Sequence, residues 1–97
     1  MPTYIVLGNL TDQGIRSVRD SIKREDAFRK QCEKFGARVR DVYRTMGRYD
    51  LAAVVDAPDD VTVSSLLYAT GALGNIRTET LRAFTRQETE EALAKMT

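Results

Sequence analysis

The chain has no histidine and no tryptophan among its 97 residues, and it has a single cysteine. Without histidine there is no Ser-His-Asp triad, no Cys-His pair and no His-ligated zinc or iron. Any catalysis would fall to carboxylates, tyrosine, arginine, lysine, Cys32 or backbone groups. One cysteine allows no internal disulfide, which fits a reducing compartment. No stretch approaches the roughly 20 apolar residues of a membrane span. The opening, MPTYIVLGNLTD, lacks the basic n-region of a signal peptide. A charge excess is missing too: 15 basic against 14 acidic residues leave a net charge of +1, with both signs interspersed. A nucleic-acid binder carries a basic stripe or tail. The nearest approach here is Lys23, Arg24, Arg29 and Lys30, which Glu25, Asp26 and Glu33 interrupt, so the stretch reads as a solvated helix face. The expectation is a soluble cytoplasmic protein with no cofactor and no metal, binding neither nucleic acid nor membrane.

What is present is one ordinary domain, residues 1–97: 42% hydrophobic and 30% charged, long enough for a single core. Residues 3–10, TYIVLGNL, are β-branched and apolar on both faces, as in a strand buried in mid-sheet. Thr11 and Asp12 can each cap a following helix. Ile15, Val18 and Ile22 recur at helical spacing; Phe28, Cys32 and Phe35 repeat it in a shifted phase that breaks over Lys23 to Asp26, so a kink or two helical pieces are expected, with Ser21 able to cap the second. Gly36 suits a helix C-terminus. Residues 37–46 alternate loosely with charges on both faces, an edge-strand pattern, and Gly47-Arg48 is predicted as a two-residue hairpin turn. Residues 49–55, YDLAAVV, again read as a central strand. Pro58-Asp59-Asp60 opens a helix with Val63, Leu66, Leu67, Thr70 and Leu73 on one face. Gly74-Asn75 stops it. Residues 76–84 form a second edge strand, and the capping box Thr85 to Glu88 starts a terminal helix over about 86–96.

The order β-α-β-β-α-β plus a helix is that of the α+β, ferredoxin-like sandwich, whose four-stranded antiparallel sheet has its first and third strands in the middle. Those are the two runs that are apolar on both sides. Two helices cover one face of such a sheet, which leaves the other bare although these strands are apolar on both sides: Tyr4, Val6 and Gly8 against Ile5 and Leu7, and Leu51, Ala53 and Val55 against Ala52 and Val54. A bare apolar patch of that kind marks an interaction site, and a second copy of the chain is the simplest cover. Two sheets meeting face to face make a dimeric α/β barrel. The terminal helix folding over the face is the alternative.

The segments TYIVLGNLTDQGIR, MGRYDLAAVVDAPDD and LGNIRTETLRAF resemble the GYD domain, a small bacterial and archaeal family whose namesake here is Gly47-Arg48-Tyr49-Asp50. Several blocks agree in order along nearly the whole chain. The resemblance implies membership of the dimeric α/β-barrel superfamily, which also holds amino-acid-sensing domains of transcription regulators and small cofactor-free oxygenases. It implies no particular activity.

Each candidate site has a plainer structural reading beside it. Tyr49 and Asp50 could flank a pocket as donor and acceptor; equally, Tyr49 covers a core edge and Asp50 bonds the turn's backbone. Alternation puts Arg77 and Glu79 on one face of the last strand, where with Asn75 they could hold a carboxylate and an amine; an ion pair between strands or subunits also accounts for them. Asn9, Asp12 and Arg16 sit at a strand-to-helix turn that ligands favour, although capping alone explains Asp12. Tyr4 and Tyr43 could project into the barrel as acids, or act as amphipathic core residues. Cys32 reads as a small buried hydrophobe.

Three functions remain open on these grounds. One is a non-catalytic small-molecule-binding or assembly module working as a homodimer or larger homo-oligomer. Another is a small barrel enzyme of oxygenase or isomerase type using Tyr4, Tyr43, Asp50 and Arg77. A third is a scaffold that forms rings through its polar edge strands.

Overall fold

The computed structural model describes residues 1–96. Strand β1 (Thr3–Leu10) leads into a short helix α1 (Asp12–Arg16), a 3-10 turn (Val18–Asp20) and helix α2 (Ser21–Lys34). Strands β2 (Arg38–Arg44) and β3 (Leu51–Asp56) precede helix α3 (Asp60–Ala72), strand β4 (Ile76–Ala83) and helix α4 (Arg86–Ala94). The four strands pair antiparallel in the order β2-β3-β1-β4. The ferredoxin-like arrangement holds, with the two doubly apolar strands at its centre.

The first helical region does form two helices, but the break lies earlier than the expected Lys23 to Asp26: those residues are continuous helix within α2, and the 3-10 turn at Val18–Asp20 makes the join. Ser21 does not cap the second: it is the first helical residue, after Asp20 at the cap position. Thr11 alone caps α1, its side chain accepting from the Gly14 N–H, and Asp12 sits in the first turn. The predicted two-residue hairpin is also corrected. Residues 45–50 link β2 to β3, with Gly47 at φ 100 and the Thr45 N–H donating to the Asp50 carbonyl at 2.9 Å. The wider loop lets Asp50 reach β1 instead of closing a tight turn. Asp59 caps α3 by accepting from the Thr62 N–H at 2.8 Å, and the Thr85–Glu88 capping box forms as its sequence predicts.

The core lies between the sheet and helices α2 and α3. Tyr4, Val6, Ala53, Val55 and Val39 point into it from the strands, and Cys32, Val63 and Leu66 meet them from the helices. All are buried. The stripe Ile15, Val18, Ile22 does not join them: these residues are 53%, 44% and 62% exposed, because the 3-10 turn swings that run off the core. Helix α4 does not cover the bare face. It continues from the end of β4 with Leu93 and Met96 largely exposed.

Candidate functional site

Two places concentrate unusual chemistry: a polar joint at one end of the sheet, and the sheet face without helices. The joint forms where β1 ends. Asp50 accepts from the Leu10 N–H at 2.8 Å through its carboxylate, while its own N–H donates to the Gly8 carbonyl at 2.8 Å. Beside it, the Thr11 N–H donates to the Asn75 carbonyl at 3.1 Å, and the Thr11 hydroxyl donates to the Gly74 carbonyl. Gln13 Nε2 donates to the Leu73 carbonyl at 3.1 Å and to Asn75 Oδ1 at 3.0 Å. Helix α1 lies so close that a Cβ on Gly14 would stand 2.0 Å from the Asn75 oxygen. Glycine is required there by the close approach of backbone. Asp50, Asn75 and Thr11 thus satisfy backbone groups that the loops would otherwise leave unpaired.

On the bare face the register sets up rows across the sheet. Tyr43, Ala52, Leu7 and Glu79 form one row, and Asp41, Val54, Ile5 and Leu81 the next. The centre is apolar: Ile5, Leu7, Ala52 and Val54 are only half-buried, and Leu81 is 45% exposed. Its edges carry charge. At one end Asp56, 5% exposed, accepts from the Thr3 hydroxyl at 2.9 Å and pairs with Arg38 at 3.1 Å and Arg40 at 3.6 Å. Burial pushes the Asp56 carboxyl up, but the Thr3 hydrogen bond and the two guanidiniums outweigh it and hold the group below its ordinary range. At the other end the Tyr49 hydroxyl donates to Glu79 Oε2 at 2.7 Å. That hydrogen bond to a carboxylate raises the Tyr49 phenol.

The ten residues singled out by sequence therefore separate into groups. Asn9 and Arg77 are cross-strand partners on the bare face, both exposed, and Arg77 enters no ion pair among the described residues. Glu79, Tyr49 and Tyr43 share that face with them; Tyr43 is 60% exposed. Asp50 and Asn75 belong to the backbone joint, and Asp12 and Arg16 are exposed on α1. Tyr4 is on the opposite side from where a barrel interior would need it. It is 2% exposed beneath the helices, and its hydroxyl donates to Asp60. Burial first, and then the Asp60 carboxylate, push its phenol up to about 12. Such a group is a poor proton donor. Sequence reading missed Asp56 and Thr3, although the pairing of a Thr near one strand's start with an Asp at the end of its neighbour was available as a signal. It also read Arg24 as solvated, whereas its guanidinium folds back onto the Ser17 and Gly14 carbonyls at 2.9 and 3.3 Å.

The GYD domain model matches residues 4–93. The chain belongs to the GYD domain family. A Thermus thermophilus relative, the glutamine synthetase and cystathionine beta-lyase binding protein, is 37% identical over 84 residues, covering 86% of this chain and 88% of the relative. Among solved structures, the TTHA0845 protein, also of Thermus thermophilus, superposes with a TM-score of 0.56 at 28% identity, covering 88% of this GYD domain and 95% of that chain. MtbAldR superposes at 0.69 with 19% identity, and the leucine response regulatory protein LrpA of Mycobacterium tuberculosis at 0.58 with 15%. These last two share the fold; the GYD domain covers 88% and 87% of its own length in them but spans only 52% and 51% of theirs. No helix among the described residues is long and apolar enough to cross a membrane.

Proposed function

We propose that this protein is a non-catalytic binding module: copies pair through their bare sheet faces, and the assembled particle docks onto metabolic enzymes. The observation that carries the reading is the half-buried apolar centre formed by Ile5, Leu7, Ala52, Val54 and Leu81. Monomers rarely leave such a contiguous patch in water, and a two-fold pairing buries two copies of it at once. The charged rim, Asp56 with Arg38 and Arg40 at one end and Arg77 with Glu79 at the other, would set the angle at which the faces meet.

The docking part rests on the 37% identical relative, whose name makes it a binding protein for glutamine synthetase and cystathionine beta-lyase. The residues point the same way. An enzyme built on Tyr4, Tyr43, Asp50 and Arg77 would need these groups to converge. Tyr4 lies across the sheet from Tyr43, and the Asp50 carboxylate is committed to the Leu10 N–H.

The test has two readouts. Light scattering at micromolar concentration is expected to give a mass at least twice the 10.9 kDa of the chain. The purified protein is then expected to retain glutamine synthetase or cystathionine beta-lyase from the same host on an affinity surface. A lone protomer would remove the pairing. Failure of both enzymes to bind a well-formed oligomer would remove the docking.

A further inference from the structure

On the far side of the sheet from the bare face, the layer between helices and strands is not filled. A cavity of about 460 Å3 lies between α2, α3 and the joint end of β1 and β3. Its walls are Leu10, Phe28, Val42, Leu51, Leu67 and Ile76, none of which is fully buried. At the other end of the same layer Val55, Cys32 and Leu66 are closed off completely. The reason lies in side-chain size: Ala27 on α2, Ala69 on α3 and Ala53 on β3 line the space where larger residues would close it. The space opens to solvent past Ala27, Arg44, Leu73 and Thr78, which are exposed, and its alkyl and aromatic walls suit an apolar guest that enters from there. Its volume falls within the roughly 300–1,000 Å3 of small-molecule sites.

The charged groups on the wall are Arg24, Glu25 and Arg44, and they are not alike. Glu25 is neutralised by Arg44 and by Arg29, the latter at 3.1 Å. Arg24, half-buried on the same wall, bonds only uncharged acceptors: the Ser17 carbonyl and hydroxyl at 2.9 and 3.1 Å, and the Gly14 carbonyl at 3.3 Å. No carboxylate pairs with it among the described residues. A guanidinium held in place by backbone carbonyls, beside an apolar cavity and without a counter-ion, is suited to binding an anion.

We propose that this cavity binds a small amphipathic carboxylate, an aliphatic or aromatic acid whose apolar body lies among Phe28, Leu51 and Leu67 and whose carboxylate meets Arg24. The site is independent of pairing through the bare face, so it can fail or succeed without the preceding reading.

Decanoate serves as the probe and decanol as its uncharged counterpart, with calorimetric titration and thermal melting on the full chain. Decanoate is expected to bind once per chain and to raise the melting temperature, since a ligand of the native state alone stabilises it. Decanol is expected to bind at least about ten-fold more weakly, the effect of one charge-assisted contact. Arg24→Gln should cut decanoate affinity by about ten-fold or more and leave decanol unchanged. Ala69→Leu fills the hollow from α3; it should raise the melting temperature of the unliganded protein and abolish binding. Should that variant misfold, Ala27→Leu fills it from α2 and must weaken decanoate in the same way. The proposal is overturned if decanoate does not bind the wild-type chain, if decanol binds as tightly, or if a folded cavity-filling variant binds decanoate undiminished.

Discussion

Strands β1 and β3 present apolar side chains to both of their faces, yet the two faces end in different states. On one side Tyr4, Val6, Ala53 and Val55 are at most 3% exposed beneath α2 and α3. On the other, Ile5, Leu7, Ala52 and Val54 come from the same two strands and stay half-buried, with charged residues around them. The residue types are alike and the cover is not. The helix-covered face accordingly carries the packing of the single chain, and the bare face is the one proposed to meet other molecules. Mutations should divide along the same line.

The largest effect belongs to the covered face. Leu66 is 0% exposed at the contact of α3 with the sheet. Leu66→Ala is expected to cost about 3 kcal/mol, transfer and cavity together, and to lower the melting temperature by roughly 12 °C or more. A loss under about 1 kcal/mol in urea unfolding would mean that the packed end of the layer is as loose as the hollow end.

The bare face should answer oppositely. Val54→Lys places an ammonium in the middle of the apolar rows, directly across from Asp41 on β2. Within one chain the ammonium can reach solvent beside Asp41, so the expected change in protomer stability is about 1 kcal/mol or less. Between copies paired as proposed it would bury an unpaired charge, so the mass by light scattering should fall to that of one chain. Light scattering and urea unfolding on one sample separate the outcomes. An intact oligomer would place its interface elsewhere, with the exposed stripe Ile15, Val18 and Ile22 the next surface to examine.

The two faces should also fail at opposite ends of the pH scale. Tyr4, under the helices, has a phenol raised from 10.0 to about 12 by burial and the Asp60 carboxylate. Below pH 10 it is neutral in folded and unfolded chains alike. Between pH 10 and about 12 only the unfolded chain ionises, so stability falls as pH rises through that window. Tyr4→Phe should flatten that part of the profile. Asp56, on the bare face, behaves in reverse. Burial opposes its charge, but Thr3, Arg38 and Arg40 prevail and lower its pKa from 3.8. Its contribution is complete above pH 3.8 and is lost as pH falls below that value, because the unfolded chain takes up the proton first. Asp56→Asn should remove this acid-side loss, and an unchanged acid limb would show that the ion pairs contribute nothing to folding.

Much of this contrast was legible in the residues. TYIVLGNL and LAAVV are apolar at successive positions, which only a central strand tolerates, and their pairing as neighbours followed from the βαββαβ order. The Thr85–Glu88 box and the stop at Gly74, with φ of 86, were likewise local signals carried by local chemistry. What could not be read depends on three-dimensional approach. Ala27, Ala53 and Ala69 are ordinary residues in their own elements, and only their meeting across the layer makes a cavity. The run Ile15, Val18, Ile22 has a helical period, but the 3-10 turn at Val18–Asp20 carries it away from the core. Tyr4 and Tyr43 were grouped by residue type, whereas strand parity and register put them on opposite faces. The cleft between helices and sheet was accordingly the least visible part of the molecule.

The smallest effect tests the element that belongs to neither face. Helix α4 starts at the capping box, with the Glu88 N–H donating to the Thr85 hydroxyl at 3.2 Å and the Thr85 N–H donating to Glu88 Oε1 at 3.0 Å. Beyond it, Leu93 and Met96 are 59% and 73% exposed, and no residue of α4 belongs to the buried core. A nine-residue helix is marginal without packing, so its cap matters locally and hardly at all to the domain. Thr85→Ala is expected to cost about 1 kcal/mol of helix stability, seen as faster amide exchange over residues 88–94 with an unchanged melting temperature. If the melting temperature falls in step, or the oligomer weakens, α4 is held by another copy of the chain, and the division of labour between the two faces has to admit a third participant.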